Sequence, residues 1–207
     1  AFVAGMINVV GFLSISQQAV THLTGTTSLF AIAVIEHDTH HMLLLGAILL
    51  AFFFGSLTSG LIIQDHVLRL GKRYGAVLIL ESLILVLATA LLQRHHMAGL
   101  WLAAAACGLQ NGMATTYSNA VIRTTHLSGM FTDLGIFLGQ ALRGVAVEPR
   151  RLMLCLVVIS AFFCGGLAGA LSFQQLSYNT LLIPALLTGL TGLSYLLLRW
   201  RSIKQTR

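Results

Sequence analysis

The chain has 207 residues, of which 57% are hydrophobic and 9% charged, with a formal net charge of +6 and a mean hydropathy of +0.87. Soluble domains carry roughly a quarter charged residues, so this composition excludes a water-soluble globule. The apolar runs are continuous instead of alternating over segments of about ten residues, which argues against a β-barrel and leaves an all-α membrane protein.

Residues 2–35 form the first expected crossing. They are too many for one plain helix, and Ser14, Ser16, Gln17, Gln18, Thr21, His22 and Thr24 interrupt them. Helices over Phe2 to Leu13 and Thr26 to Ile35 would together measure roughly 33 Å at ~1.5 Å per residue, about one hydrocarbon thickness, with the polar segment near mid-depth. Non-helical backbone at that depth survives only where protein buries it or a wet cavity bathes it, so the break predicts a cavity. The rival geometry is an unbroken helix over residues 2–20, then a polar corner and a surface helix.

The second expected helix, 42–63, contains Ala51-Phe-Phe-Phe-Gly55-Ser56-Leu57, and the third, 74–92, carries Glu81 among aliphatic neighbours. A carboxylate inside a span is costly to ionise, which makes Glu81 a candidate coupling group or one half of an interhelical pair. The loops around these helices hold Glu36, His37, Asp38, His40, His41, His95 and His96. Such residues can ligate zinc or nickel, with His37, His41 and His95 the nearest to a ligand set, but their spacing matches no defined site. The expectation is a solvated polar loop, no metal and no cofactor.

The fourth crossing repeats the first. After a helix from Ala98 to Leu109 come Gln110-Asn111-Gly112, Thr115, Thr116, Tyr117, Ser118, Asn119 and Arg123, and then Thr125-His126-Leu127-Ser128-Gly129, a near copy of Thr21-His22-Leu23-Thr24-Gly25. Asp133 follows in the first turn of the next apolar run. The fifth helix, 152–172, contains Ala161-Phe-Phe-Cys-Gly165-Gly166-Leu167, which echoes the second, and Gly5-Met6 has a counterpart in Gly112-Met113. A sixth helix, 179–198, precedes a basic tail, 199–207. Gly55 with Ser59, Ser56 with Gly60, and Gly165 with Gly169 form small-xxx-small faces for close helix packing.

The duplication predicts one transmembrane domain, 1–207, with repeat A over about 1–94 and repeat B over about 97–201. Each repeat has three crossings. An odd number makes the two enter the membrane from opposite sides, so the fold expected is six transmembrane helices in two inverted-topology repeats, with the first and fourth interrupted. Ten of the twelve basic residues then share one face: Arg69, Lys72, Arg73, Arg143, Arg150, Arg151, Arg199, Arg201, Lys204 and Arg207. The positive-inside rule makes that face cytoplasmic, giving N-in and C-in, and the grouping argues against a nucleic-acid partner. No cleavable signal is evident at Ala1. Cys107, Cys155 and Cys164 lie in apolar runs without CxxC spacing and read as buried small residues.

Discontinuous helices at matching positions of two repeats mark the site in secondary transporters. The substrate-binding candidates are therefore Asn8, Gln17, Thr21, His22, Thr24, Gly25, Gln110, Asn111, Thr125, His126, Ser128 and Gly129, with Asp133 and Glu81 for proton or ion coupling. A half-helix N-terminus presents free N–H groups to a carboxylate or phosphate, and Arg123 can add a fork of donors. Imidazoles change charge near neutral pH, so His22 and His126 can relay protons.

Ala4-Gly5, Thr24-Gly25, Asn111-Gly112, Thr124-Thr125 with Ser128-Gly129, and Thr132-Asp133-Leu134-Gly135 together resemble the YoaK-like family, bacterial integral membrane proteins assigned to a domain of unknown function. The resemblance covers nearly the whole chain. Family members often carry an acid where this chain has Asn8 and an asparagine where it has Thr26. The resemblance implies a six-helix protein of the bacterial inner membrane and names no substrate.

No HExxH, GxSxG or P-loop is present, so an enzyme is not expected. The function expected is a secondary transporter or permease of a small anionic or zwitterionic solute. A channel-like pore and a non-transporting scaffold or sensor are the alternatives. The partners are the lipid bilayer and the solute, and six helices would enclose a path more readily as a homodimer.

Overall fold

The computed structural model describes residues 1–14, 17–63, 72–118 and 123–205, the side chains of residues 72 and 199–205 excepted. Ser16, Asn119, Arg69 and Arg207, and the side chains of Lys72, Arg199, Arg201 and Lys204, on which parts of the sequence reading rest, lie outside them.

The described residues fold into α1 (Phe2–Leu13), α2 (Leu23–Ile35), α3 (Thr39–Ile62), α4 (Lys72–Gln93), α5 (Ala98–Tyr117), α6 (Leu127–Leu142), α7 (Pro149–Leu176), a 3-10 turn (Ser177–Leu181) and α8 (Leu182–Gln205), with no strand among them. Three stretches, Thr39–Ile62, Arg73–Gln93 and Pro149–Leu198, are long and apolar enough to cross a membrane. Their outer surfaces are greasy: Leu43, Leu61, Phe163 and Leu171 are each about two-thirds exposed. A surface this apolar belongs in lipid, because a soluble protein rarely shows apolar patches beyond a few hundred Å².

Residues 2–35 form two helices with a break between them. α1 stops at Leu13, where the Ser14 hydroxyl and N–H both donate to the Gly11 carbonyl, at 2.6 and 3.2 Å. That ends the helix seven residues short of the unbroken rod considered above. α2 starts at Leu23, three residues earlier than expected, and does not pack on α1. α5 and α6 likewise do not pack on each other.

Elsewhere the structure corrects the sequence reading. Gln110, Asn111, Gly112, Thr115, Thr116 and Tyr117 are helical, not part of the interruption. Thr115 and Thr116 donate to the carbonyls four residues back, at 2.7 and 2.9 Å, so their hydroxyls are satisfied without leaving the helix, and the C-cap Ser118 donates likewise to Ala114 at 2.8 Å. The gap left at 173–178 between the expected fifth and sixth helices is not an irregular loop. α7 runs to Leu176, and a single 3-10 turn carries the chain into α8.

Two helix crossings are built alike. α3 packs on α5, and α1 packs on α7. In the first, a Cβ on Gly55 would overlap the Ala105 carbonyl and one on Gly108 the Phe52 carbonyl. In the second, a Cβ on Gly165 would overlap the Phe2 carbonyl and one on Gly5 the Phe162 carbonyl. The counterpart of Gly5 is therefore Gly108, not Gly112, which instead faces Ser56 and Ser59. The Ser56 hydroxyl adds a bond to the Gly108 carbonyl at 2.9 Å. Gly60 has open space beside it and takes no part in close packing. α2 lies on α3 as α6 lies on α7, while α4 and α8 pack on each other where Gly75 and Gly192 meet. The likeness has a limit, since α4 packs broadly on α5 and α8 barely touches α1.

Candidate functional site

Each break is fastened by an asparagine of the preceding helix. Asn8, 7% exposed, accepts the Thr21 N–H at 3.2 Å through its Oδ1, and Asn111 Oδ1 accepts the Thr124 hydroxyl at 3.3 Å. A chain that leaves its helix needs acceptors for its freed N–H groups, and a carboxamide supplies one.

Beyond the break, α2 and α6 both start on a histidine with nearly the same backbone, φ −92° and ψ 68° at His22, φ −92° and ψ 59° at His126. Neither imidazole caps a backbone N–H. Each ring instead lies over the glycine three residues on. A Cβ on Gly25 would come within 2.6 Å of His22 Nδ1, and one on Gly129 would overlap the His126 ring. With glycine at both places the ring can lie there, and a larger residue would push the imidazole aside. In a helix the first-turn N–H groups, here those of Leu23, Thr24 and Gly25 and of Leu127, Ser128 and Gly129, have no intrahelical acceptor.

The two starts face one cavity of about 440 Å³. Its lining comes in matched pairs: Asn8 and Asn111, Thr21 and Thr125, His22 and His126, Leu23 and Leu127, Thr24 and Ser128, Phe52 and Phe162. Phe12 and Arg123 complete it without counterparts, and no Asp or Glu contributes among the described residues. Two helix N-termini, each equivalent to about half a positive charge, and one guanidinium give the cavity a positive interior.

Eight of the twelve expected binding residues therefore line one space. Four do not. Gly25 and Gly129 back the imidazoles, and Gln17 is exposed in the first interruption at φ 48°, away from the cavity. Gln110 turns to the far side of α5, where its Nε2 donates to Glu81 Oε1 at 2.9 Å. Glu81 is fully buried, and neither its Oε2 nor Gln110 Oε1 has a partner. Glu81 is thus one residue removed from Asn111 and the cavity, but not in it.

Asp133 lies in a different space. It is exposed on α6 and lines a cleft of about 290 Å³ against α7 with Arg151 and Cys155. Nor does the structure gather His37, His41 and His95. No three His, Cys, Asp or Glu side chains converge on a metal position among the described residues. His41 pairs instead with Asp38, Nδ1 to Oδ2 at 2.7 Å, and the His41 N–H donates to Asp38 Oδ1 at 3.1 Å. These bonds, the backbone one first, hold the Asp38 carboxyl below its ordinary range. Cys107 and Cys155 are buried as expected, whereas Cys164 is exposed on α7.

Reasoning from sequence missed Phe12, Phe52 and Phe162 as lining residues. A signal was there for two of them, since Phe52 and Phe162 hold the same place in the two Ala-Phe-Phe segments, but an aromatic at a glycine-rich crossing reads as packing.

Neither the curated proteins nor the solved structures contain a match to the chain. A family model described as "Protein of unknown function (DUF1275)" matches residues 1–194. That match takes in both breaks, both glycine crossings and the whole cavity, and the chain accordingly belongs to this family of unknown function.

Proposed function

We propose that the protein is a secondary transporter of a small anionic solute, with its binding site in the cavity between the two helix breaks and six crossings arranged as two inverted three-helix repeats. One observation carries the reading: the Thr-His-Leu-(Thr/Ser) residues of both copies line the same cavity. A scaffold would have its polar breaks packed dry against other side chains, and here they border about 440 Å³ of space, within the usual range for small-molecule sites. The absence of a carboxylate from the described lining favours an anion over a zwitterion, whose ammonium would lack a partner. The like construction of the α1–α7 and α3–α5 crossings supports two equivalent units, and their three crossings each require opposite orientations. The distribution of Lys and Arg favours N-in and C-in within an inner membrane.

The test is uptake into liposomes containing the purified protein. Radiolabelled small anions should accumulate with the wild type, and His22→Ala or His126→Ala should reduce entry at least tenfold with insertion unchanged. Uptake unaltered in both variants would remove this cavity from the path.

A further inference from the structure

The cavity is not lined as a site for a bare inorganic ion would be. Its polar groups are the two half-helix starts with Thr21 and Thr125, the carboxamides of Asn8 and Asn111, and Arg123, while Phe52 and Phe162 supply aromatic surface from α3 and α7. Those two aromatics are also fixed in place by the helix crossings. The carbonyl of Phe52 presses on Gly108 and that of Phe162 on Gly5, so each residue sits at a point of backbone contact between helices. Phe52 is only 7% exposed. A hydrated sulfate or phosphate gains nothing from a phenyl ring, and stripping its water beside one is costly. An anion with an apolar body gains on both counts.

We infer that the cavity takes a small organic monocarboxylate, its carboxylate held by Arg123 and the N-terminal N–H groups of α2 and α6 and its apolar body resting on Phe52 and Phe162. This deepens the transport reading and rests on the same cavity. The lining is matched across the two halves except for Phe12 and Arg123, and the single guanidinium therefore selects one carboxylate and one orientation. A dicarboxylate would find no second Lys or Arg there among the described residues.

Binding to the full-length protein in detergent tests this, with thermal stabilisation and calorimetry as readouts and benzoate, cyclohexanecarboxylate, acetate, benzyl alcohol, sulfate and phosphate as probes. Benzoate and cyclohexanecarboxylate should bind at least tenfold more tightly than acetate, benzyl alcohol or either inorganic ion. Arg123→Gln should weaken benzoate about tenfold or more, the usual loss for a charge-assisted bond. Phe52→Leu and Phe162→Leu should narrow the gap between benzoate and acetate. The wild-type series already decides the matter if a variant fails to fold. Acetate binding as tightly as benzoate, benzyl alcohol doing so, or sulfate or phosphate binding in preference would each overturn the inference. Liposome assays separate it from the transport reading. Benzoate bound in the cavity but never carried would end the transport reading alone, whereas sulfate or phosphate carried without benzoate binding would end this inference alone.

Discussion

Thr21 is tied through its backbone N–H to Asn8, thirteen residues back, and Thr124 is tied through its hydroxyl to Asn111, again thirteen residues back. Two breaks that share hardly any sequence between helix and motif are thus closed by the same residue type over the same length of chain. Asn8→Leu should strand a buried N–H and lower stability by about 1–3 kcal/mol, whereas Asn8→Asp keeps the acceptor and should cost less. Thermal unfolding in detergent measures both. Equal melting of Asn8→Leu and wild type would mean the bond holds nothing together.

The glycine crossings predict a sharp division among alanine variants. Gly5→Ala, Gly55→Ala, Gly108→Ala and Gly165→Ala each push a methyl into a carbonyl of the opposing helix and should destabilise by about 1–3 kcal/mol or more. Gly60→Ala and Gly135→Ala meet open space and should be tolerated. Yield of monodisperse protein and melting temperature provide the comparison. Similar behaviour of the two sets would show that the helices separate easily.

Glu81 and Gln110 form a buried pair in which only one bond is made. Glu81→Leu or Gln110→Leu alone leaves a polar group without its partner and should cost about 1–3 kcal/mol, while the double variant should recover part of that loss. Glu81→Gln keeps the shape and should fold normally. If Glu81 carries a coupling proton, Glu81→Gln will retain exchange of anion between liposomes and medium but lose uptake driven by a pH gradient. Gradient-driven uptake at the wild-type rate in that variant would take Glu81 out of the coupling.

His126 and Asp133 belong to different spaces despite lying seven residues apart on one element. His126→Ala should weaken anion binding, and Asp133→Ala should leave it within about twofold, because neither the carboxylate nor its neighbour Arg151 borders the cavity. Calorimetric titration of both variants would show it. A large loss in Asp133→Ala would mean that α6 moves so as to bring the acid to the anion.

The cap at the start of α3 has a definite pH sign. Asp38 is held below its ordinary value of 3.8 by His41, so its contribution is fully present above that pH and is lost as pH falls through the lower folded value. Protection of the His41 amide from hydrogen exchange should fall on acidification over that window in the wild type. In Asp38→Ala it should be low throughout, and protection that ignores pH would show that the carboxylate does not hold the turn.

Composition alone was enough to specify a helical membrane protein, since in lipid the backbone must satisfy its own hydrogen bonds and continuous apolar runs leave only helices. The repeated Thr-His-Leu-(Thr/Ser)-Gly likewise marked where α2 and α6 begin, because an interruption of a greasy run by hydroxyls, imidazole and glycine is a local event. What surrounds each break was not local. Whether Thr115 and Thr116 leave the helix depends on the carbonyls four residues back, and Gln110 faces Glu81 instead of the cavity because of where α4 lies. A helix apolar on every side carries no stripe to say which face turns inward. Only the close approach of Gly5 to Phe162 and of Gly108 to Phe52 sets those rotations, and with them the two aromatics and the single cavity that both breaks share.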